Sequence, residues 1–99
     1  MENKYEVLLF IKDIYGERFS KVVDKIKSIF KEQQCEILKK ENFGERKLAY
    51  KIKNEQKAIY YYFIIGCKKE DEDIVGKITM KLNTIEDILK TIIKLYKEE

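Results

Sequence analysis

The sequence contains no histidine and no proline, and it has only two cysteines and four glycines among its 99 residues. Without histidine, acid–base catalysis near neutral pH would need a carboxylate, lysine or cysteine with a shifted pKa, and no acidic pair has a spacing that favours this. The cysteines lie far apart and no CxxC pair occurs, so no zinc-binding motif is present. Phosphate-binding and dinucleotide-binding glycine patterns are also missing. We therefore expect a protein that is not an enzyme and takes no cofactor, metal or small-molecule substrate.

The chain is short and has no internal linker or repeat, so residues 1–99 are expected to form a single domain. The apolar run within MENKYEVLLFIK spans only five to seven residues, which is too short for a signal peptide or a membrane span. We therefore expect a cytoplasmic protein with no membrane partner. In that compartment Cys35 and Cys67 are expected to be reduced, buried thiols rather than a disulfide.

The spacing of apolar residues switches between the strand period and the helix period along the chain. Residues 5–11 alternate as in a strand, and residues 17–33 show the i, i+3, i+4, i+7 spacing of an amphipathic helix. The remaining predicted elements are a strand over 35–43 that Gly44 interrupts, its continuation over 46–53, a hairpin turn at 54–57, a strand over 58–67, a helix over 74–82 preceded by acidic residues 70–73, and a strand over 88–96.

This order, βαββαβ, is typical of the ferredoxin-like α+β fold. In such a fold two helices pack on one face of a four-stranded antiparallel sheet, and the other face remains open to solvent or to a partner. Fold alone does not determine function, so the side chains on the open face and at the sheet edges must be considered.

Strand alternation predicts an aromatic patch on the open face. If Tyr61, Phe63 and Ile65 face the helices, the opposite side of the sheet carries Phe10, Tyr60, Tyr62 and Ile92. An apolar patch of this kind on a small domain typically marks a contact site, and we predict these four residues as partner contacts. The alternative is a face that is partly covered by the chain's own termini.

Basic residues cluster in the predicted hairpin, although the net charge of the whole chain is only +3. The basic residues of this arm are Arg46, Lys47, Lys51, Lys53 and Lys57. Basic side chains beside aromatic ones on a sheet suit single-stranded or irregular RNA, in which charge holds the phosphates and stacking holds the bases. The alternative is a lysine-rich edge that prevents strand pairing with other chains.

The RNA recognition motif has the same βαββαβ order and is therefore an alternative function. Its third strand requires a basic, Gly, aromatic, small, aromatic signature. In KAIYYYFI, Ala58 stands in place of the glycine and the bulky Tyr60 occupies the small position. The sequence thus departs from that signature at two positions.

The segment GERKLAYKI, residues 44–52, resembles the most recognisable part of the bacterial small-subunit ribosomal protein six family. The shared features are a glycine, two basic residues, Leu-Ala-Tyr and a following isoleucine, here Gly44, Arg46, Lys47, Leu48, Ala49, Tyr50 and Ile52. The resemblance extends over essentially the whole chain. It implies the ferredoxin-like fold that the apolar periodicity also predicts.

The resemblance also implies a function. It implies a structural constituent of the small ribosomal subunit, bound to the central domain of the small-subunit RNA as a heterodimer with small-subunit ribosomal protein eighteen. Arg46 and Lys47 then form the basic pair of the family segment and Tyr50 its aromatic residue, while Lys90 stands where many members have arginine. Two further departures are Lys51, where proline is common, and Ala58, where glycine is usual. The complete set of predicted RNA-binding residues is Arg46, Lys47, Tyr50, Lys51, Lys53 and Lys90.

Three hypotheses remain open from the sequence. The first is a ribosomal assembly protein that binds RNA together with a protein partner. The second is a free-standing single-stranded RNA-binding domain that uses Tyr60 and Tyr62. The third is an interaction domain that oligomerises through its open face without RNA. Partner dependence, binding to unstructured RNA and oligomeric state would distinguish them.

Overall fold

The computed structural model describes residues 3–68 and 73–97. The elements follow the predicted order: β1 (Asn3–Ile11), α1 (Gly16–Glu32), β2 (Cys35–Ile52), β3 (Glu55–Cys67), α2 (Ile74–Leu82) and β4 (Ile88–Leu95). The four strands form one antiparallel sheet in the order β2-β3-β1-β4. Among the described residues, no helix is long and apolar enough to cross a membrane. The predicted fold class is confirmed.

The two helices form because their apolar residues recur at helical spacing and face the sheet. In α1 the buried positions are Val22, Val23, Ile26 and Phe30, and in α2 they are Ile74, Ile78 and Leu82. Asp73 is the N-cap residue of α2, and the other predicted acidic positions, 70–72, lie outside the described residues.

One hydrophobic core lies between the helices and the sheet. The central strands β1 and β3 pair along their whole shared length, from Asn3 opposite Cys67 to Ile11 opposite Ile59. Their alternate residues enter this core, as the alternation predicted, and the helix residues pack against them. The residues of β1 and β3 in the core are Val7, Leu9, Ile11, Ile59, Tyr61, Phe63, Ile65 and Cys67. Both helices therefore cover the same face of the sheet, and the opposite face stays open.

Strand β2 differs from the prediction because it continues through Gly44 instead of breaking there. Gly44 has φ +80°, a left-handed conformation that favours glycine, and the pairing with β3 shifts register between Asn42 and Gly44. The Gly44 N–H donates a hydrogen bond of 2.8 Å to Asn42 Oδ1. The glycine thus forms a β-bulge within one long strand.

The hairpin turn lies earlier than predicted. Ile52 pairs with Glu55, and the two residues between them, Lys53 and Asn54, have φ values of +47° and +67°. Two successive positive φ values in a two-residue loop are typical of a type I′ turn, whose twist matches that of the flanking strands. The predicted turn at 54–57 is therefore wrong, because polarity alone located it, whereas backbone twist selects the tighter turn.

The structure corrects the prediction of two separate thiols, because it shows the two cysteines in the bonded form. Cys35 and Cys67 lie directly opposite each other on β2 and β3, with Cα atoms 4.1 Å apart, and their sulfur atoms are bonded. The strand register, which sequence spacing does not reveal, brings the two residues together.

Candidate RNA interface

The β2–β3 hairpin extends beyond the end of β1, and we call its outer part, residues 44–57, the hairpin arm. Ile11 at the end of β1 lies opposite Ile59, so β3 continues past β1 from Ile59 to the turn. Arg46, Lys47 and Lys51 are exposed on this arm. None of the three has an ion pair or a side-chain hydrogen bond within residues 3–68 and 73–97. Their charges are therefore available to an anionic partner.

Another basic residue of the arm, Lys57, is in a different situation. Its ammonium group lies 3.2 Å from Glu45 Oε1, and this contact raises the pKa of Lys57. Among the described residues, the basic side chains of the arm that have no partner are therefore Arg46, Lys47 and Lys51.

A second, wider bulge lies within residues 44–52, the segment that carries the family resemblance. Lys47 pairs with Lys57 and the next pair is Ile52 with Glu55, so β2 places four residues opposite the single residue Gln56. Residues 48–51 arch away from β3 and form a shallow pocket of about 210 Å³ with Lys47 and Gln56. The bulge places Gln56 beside this segment, and no local sequence pattern predicts such a bulge.

Tyr50 is the most exposed large apolar side chain of the arm, at 65%. It lines the pocket together with Lys47 and Lys51. An exposed aromatic ring beside basic side chains can stack on a nucleobase while the cations contact neighbouring phosphates. Leu48 and Ile52 are half-buried, and neither belongs to the main core.

Lys53 and Lys90 hold the arm against β4. Lys53 Nζ donates a hydrogen bond of 3.0 Å to the carbonyl oxygen of Ile88, the first residue of β4. Lys90 Nζ donates one of 3.4 Å to the Tyr50 hydroxyl and lies 5.9 Å from the centroid of that ring. The structure therefore brings the six predicted RNA-binding residues to one end of the sheet, although Lys53 and Lys90 already have partners within the protein.

The four predicted partner contacts all lie half-buried on the open face. Phe10 and Tyr60 stack with ring centroids 4.4 Å apart and planes 9° from parallel. Tyr62 and Ile92 line a mostly apolar pocket of about 250 Å³ beside this stack. The other residues that line the pocket are Glu6, Leu8, Phe43 and Lys94.

Phe43 belongs to this face although the sequence analysis did not place it there. Its ring lies 5.9 Å from that of Tyr62, and its side chain is 43% exposed. The bulge between Asn42 and Gly44 changes the alternation of β2 at this position. A simple two-residue period cannot therefore assign the face of Phe43.

Tyr62 is fixed by a hydrogen bond across the open face. Its hydroxyl donates to Glu6 Oε1 at 2.7 Å. Burial, reinforced by this hydrogen bond, raises the pKa of Tyr62 from its ordinary value of 10.0 to about 12. The Tyr62 phenol therefore stays protonated near neutral pH. Its hydrogen bond to Glu6 joins two of the residues that line the pocket.

Sequence comparison with known proteins gives matches to one family over most of the chain. The family model described as ribosomal protein S6 matches residues 4–94. A small ribosomal subunit protein bS6 of Rickettsia felis is 34% identical to this chain, with 91% of this chain and 84% of the relative covered. The corresponding protein of Phytoplasma australiense is 29% identical, with 91% and 95% covered.

A solved structure supports the same fold. The crystal structure of 30S ribosomal protein S6 from Thermotoga maritima superimposes with a TM-score of 0.83 at 23% sequence identity. The match covers 97% of this chain and 89% of that one. At this level of identity the superposition establishes only the ferredoxin-like fold. The family relationship is established by the sequence matches.

Proposed function

Because the chain belongs to the ribosomal protein S6 family, we propose that it binds the central domain of the small-subunit ribosomal RNA together with small-subunit ribosomal protein eighteen. Family membership makes it a non-enzymatic structural protein of the small ribosomal subunit, associated with the ribosome in the cytoplasm. The observation that carries the proposed RNA contact is the unpaired charge of Arg46, Lys47 and Lys51 around the exposed Tyr50.

RNA binding by the hairpin arm would rest mainly on charge. Each phosphate that a lysine or arginine neutralises releases condensed counterions, so the affinity falls as salt concentration rises. Arg46 can bind a phosphate through two parallel N–H donors, whereas Lys47 and Lys51 act as point charges. The bulge at 48–51 moves Tyr50 away from the β3 ladder, which leaves its ring accessible to an unpaired base.

The open face is the proposed contact surface for protein eighteen. Its apolar pocket, lined by Tyr62 and Ile92, adjoins the stacked pair Phe10 and Tyr60. A pocket of this kind accepts an apolar anchor residue, which is how protein interfaces gain most of their affinity. The hydrogen bond between Tyr62 and Glu6 holds one wall of the pocket in place before binding.

A free-standing RNA-binding domain would use the same aromatic residues differently. Such a domain needs ring faces on which bases can stack. One face of Tyr60 is already covered by Phe10, and the hydroxyl of Tyr62 is engaged by Glu6. These contacts favour a role in protein contact over a role in base stacking.

The test is a mobility-shift titration with a central-domain RNA fragment, with and without protein eighteen, at two salt concentrations. We expect binding that depends on the partner and weakens with salt. In the double variant Arg46→Ala/Lys47→Ala the slope of log K against log salt should become less negative by about 1.4 to 1.8. The matched control is Lys21→Ala/Lys25→Ala, which removes the same charge from the exposed surface of α1.

Each alternative has its own outcome in this titration. Equal affinity without protein eighteen would support the free-standing RNA-binding domain. The absence of RNA binding in all conditions, together with a concentration-dependent dimer in sedimentation, would support the RNA-free interaction domain. An equal loss of salt dependence in the α1 control would show that overall charge, rather than the hairpin arm, determines binding.

A further inference from the structure

The backbone of the sheet positions Cys35 and Cys67 for reaction with each other. Cys35 is the first residue of β2, Cys67 is the last residue of β3, and the two are direct partners in the ladder. The N–H of Lys68 donates to the carbonyl oxygen of Gln34 at 3.3 Å, which identifies the cysteines as a non-hydrogen-bonded pair. Side chains approach most closely at such pairs. The strand register therefore holds the two sulfur atoms together whether or not they are bonded.

Cys35 is the more accessible of the two cysteines. Cys67 is 1% exposed and Cys35 is 8% exposed. Cys35 lines an open surface pocket of about 550 Å³, together with Lys31, Gln34, Glu36 and Lys68. Two ammonium groups and one carboxylate give this pocket a net positive charge. Positive charge near a thiol favours its reactive thiolate form and attracts anionic reagents.

The compartment determines which state of the pair is the resting one. Cytoplasmic thiols are kept reduced by the glutathione and thioredoxin systems, and the disulfides that do form there are usually transient. We propose that Cys35 and Cys67 are a reversible oxidation site for small anionic disulfides, whose oxidation covalently links the edge strand β2 to β3. The pair is reduced in the resting cell and forms the bond when oxidised glutathione or a similar disulfide accumulates.

The reaction takes place in two thiol–disulfide exchange steps. The Cys35 thiolate attacks one sulfur of the small disulfide RSSR, so that a mixed disulfide forms and one RS⁻ leaves. The Cys67 thiolate then attacks Cys35 Sγ, which forms the bond between the two cysteines and releases the second RS⁻. The protein loses two protons and two electrons, and RSSR is reduced to two thiols once each RS⁻ takes up a proton. Excess small thiol reverses both steps.

The bond constrains one of the two edge strands of the sheet. In the described residues β2 is an edge strand that pairs with β3 alone, and the cysteines close a loop with a sequence separation of 32. The turn at Lys53 and Asn54 already joins the two strands at their other ends. Because the bond restricts the unfolded chain, oxidation should raise the melting temperature by about 8–20 °C.

The test uses the full-length chain, equilibrated with mixtures of glutathione and oxidised glutathione, alkylated, and analysed by intact mass. We expect the two thiols to be lost together, without accumulation of the mixed disulfide, and to be restored by glutathione without denaturant. Cys67→Ala should stop at a glutathione adduct on Cys35, whereas Cys35→Ala should leave the buried Cys67 unmodified. Lys31→Ala/Lys68→Ala should slow oxidation by oxidised glutathione more than oxidation by the neutral hydroxyethyl disulfide.

Three results would overturn the proposal. The first is a wild-type protein that keeps both thiols in excess oxidised glutathione. The second is a bond that glutathione cannot reduce in the folded protein, because the link would then be permanent. The third is an unchanged melting temperature after oxidation. These readouts on the wild-type chain remain valid even if a cysteine variant does not fold, and none of them depends on RNA binding by the hairpin arm.

Discussion

Lys90 on β4 donates a hydrogen bond to the hydroxyl of Tyr50 on β2, although these strands are the two edges of the sheet. The contact is possible because β1 ends at Ile11, whereas the hairpin arm continues and contacts Ile88, the first residue of β4. Tyr50 and Lys90, which the family resemblance predicts as separate RNA-binding residues, thus contact each other. The Tyr50 ring therefore contacts a cation that is itself a predicted RNA contact.

The first prediction concerns the Tyr50 ring. Tyr50→Ala should weaken binding to the RNA and protein-eighteen complex by about 1–3 kcal/mol, because a stacking surface is lost. Tyr50→Phe keeps the ring and removes only the hydrogen bond from Lys90, so it should retain most of the affinity. Equilibrium titration by fluorescence anisotropy measures both. Equal losses in the two variants would show that the hydroxyl, and not the ring, is what matters.

The stability of the two Tyr50 variants provides the control for this experiment. Tyr50 is 65% exposed and lies outside the core, so either substitution should change the free energy of unfolding by less than about 0.5 kcal/mol. Urea denaturation checks this. A larger loss would mean that Tyr50 acts by holding the arm to β4 rather than by contacting RNA.

The second prediction concerns the pocket on the open face. Ile92→Lys places a charge in the apolar pocket and should weaken binding of protein eighteen by about 2 kcal/mol or more, roughly thirtyfold. Isothermal titration calorimetry measures the change. Met80→Lys is the matched control, since Met80 is 72% exposed on α2. A normal affinity in Ile92→Lys, with circular dichroism unchanged, would rule out this face as the partner surface.

The elements that the sequence predicted well are those with a strong local period. The α1 pattern from Phe19 to Phe30 places its apolar side chains on one helical face, and the alternation in β3 separates Tyr60 and Tyr62 from Tyr61 and Phe63. The succession of these patterns along the chain predicts the βαββαβ order that the structure has. The four predicted partner contacts therefore lie on the open face, as alternation indicated.

What the sequence could not predict depends on register. The bulge at Gly44 shifts β2 against β3 and brings Phe43 to Tyr62, and the bulge at 48–51 creates the pocket beside Tyr50. The register also places Cys35 opposite Cys67. Each of these contacts is determined by the register between strands, and neither residue spacing nor polarity in the sequence predicts that register.

The third prediction concerns pH and the phenol of Tyr62. Burial and the hydrogen bond to Glu6 raise its pKa to about 12 in the folded chain, above the ordinary value of 10.0. The folded state therefore binds the phenolic proton more tightly than the unfolded state does. The resulting stabilisation is fully present below pH 10, and it is lost as the pH rises from about 10 to about 12.

Stability measurements on Tyr62→Phe test this linkage. Phenylalanine has no phenolic proton, so the difference in unfolding free energy between wild type and variant should shrink or reverse between pH 9 and about pH 12. Urea denaturation at several pH values gives the difference directly and cancels the ionisation of the lysines. A difference that stays constant with pH would mean that Tyr62 titrates normally in the folded chain.

The fourth prediction concerns the left-handed backbone at Gly44. A Cβ at this position would meet no atom within 4 Å, so an alanine there creates no clash. It must still adopt φ +80°, which an L residue disfavours, and Gly44→Ala should therefore destabilise the chain by about 1–2 kcal/mol. Gly44→Asn should cost less, because asparagine tolerates this conformation better. Urea denaturation of both variants measures these costs, and equal costs in the two variants would show that the left-handed conformation is not their cause. If the bulge also sets the path of the arm, Gly44→Ala should weaken RNA binding more than Gly44→Asn does.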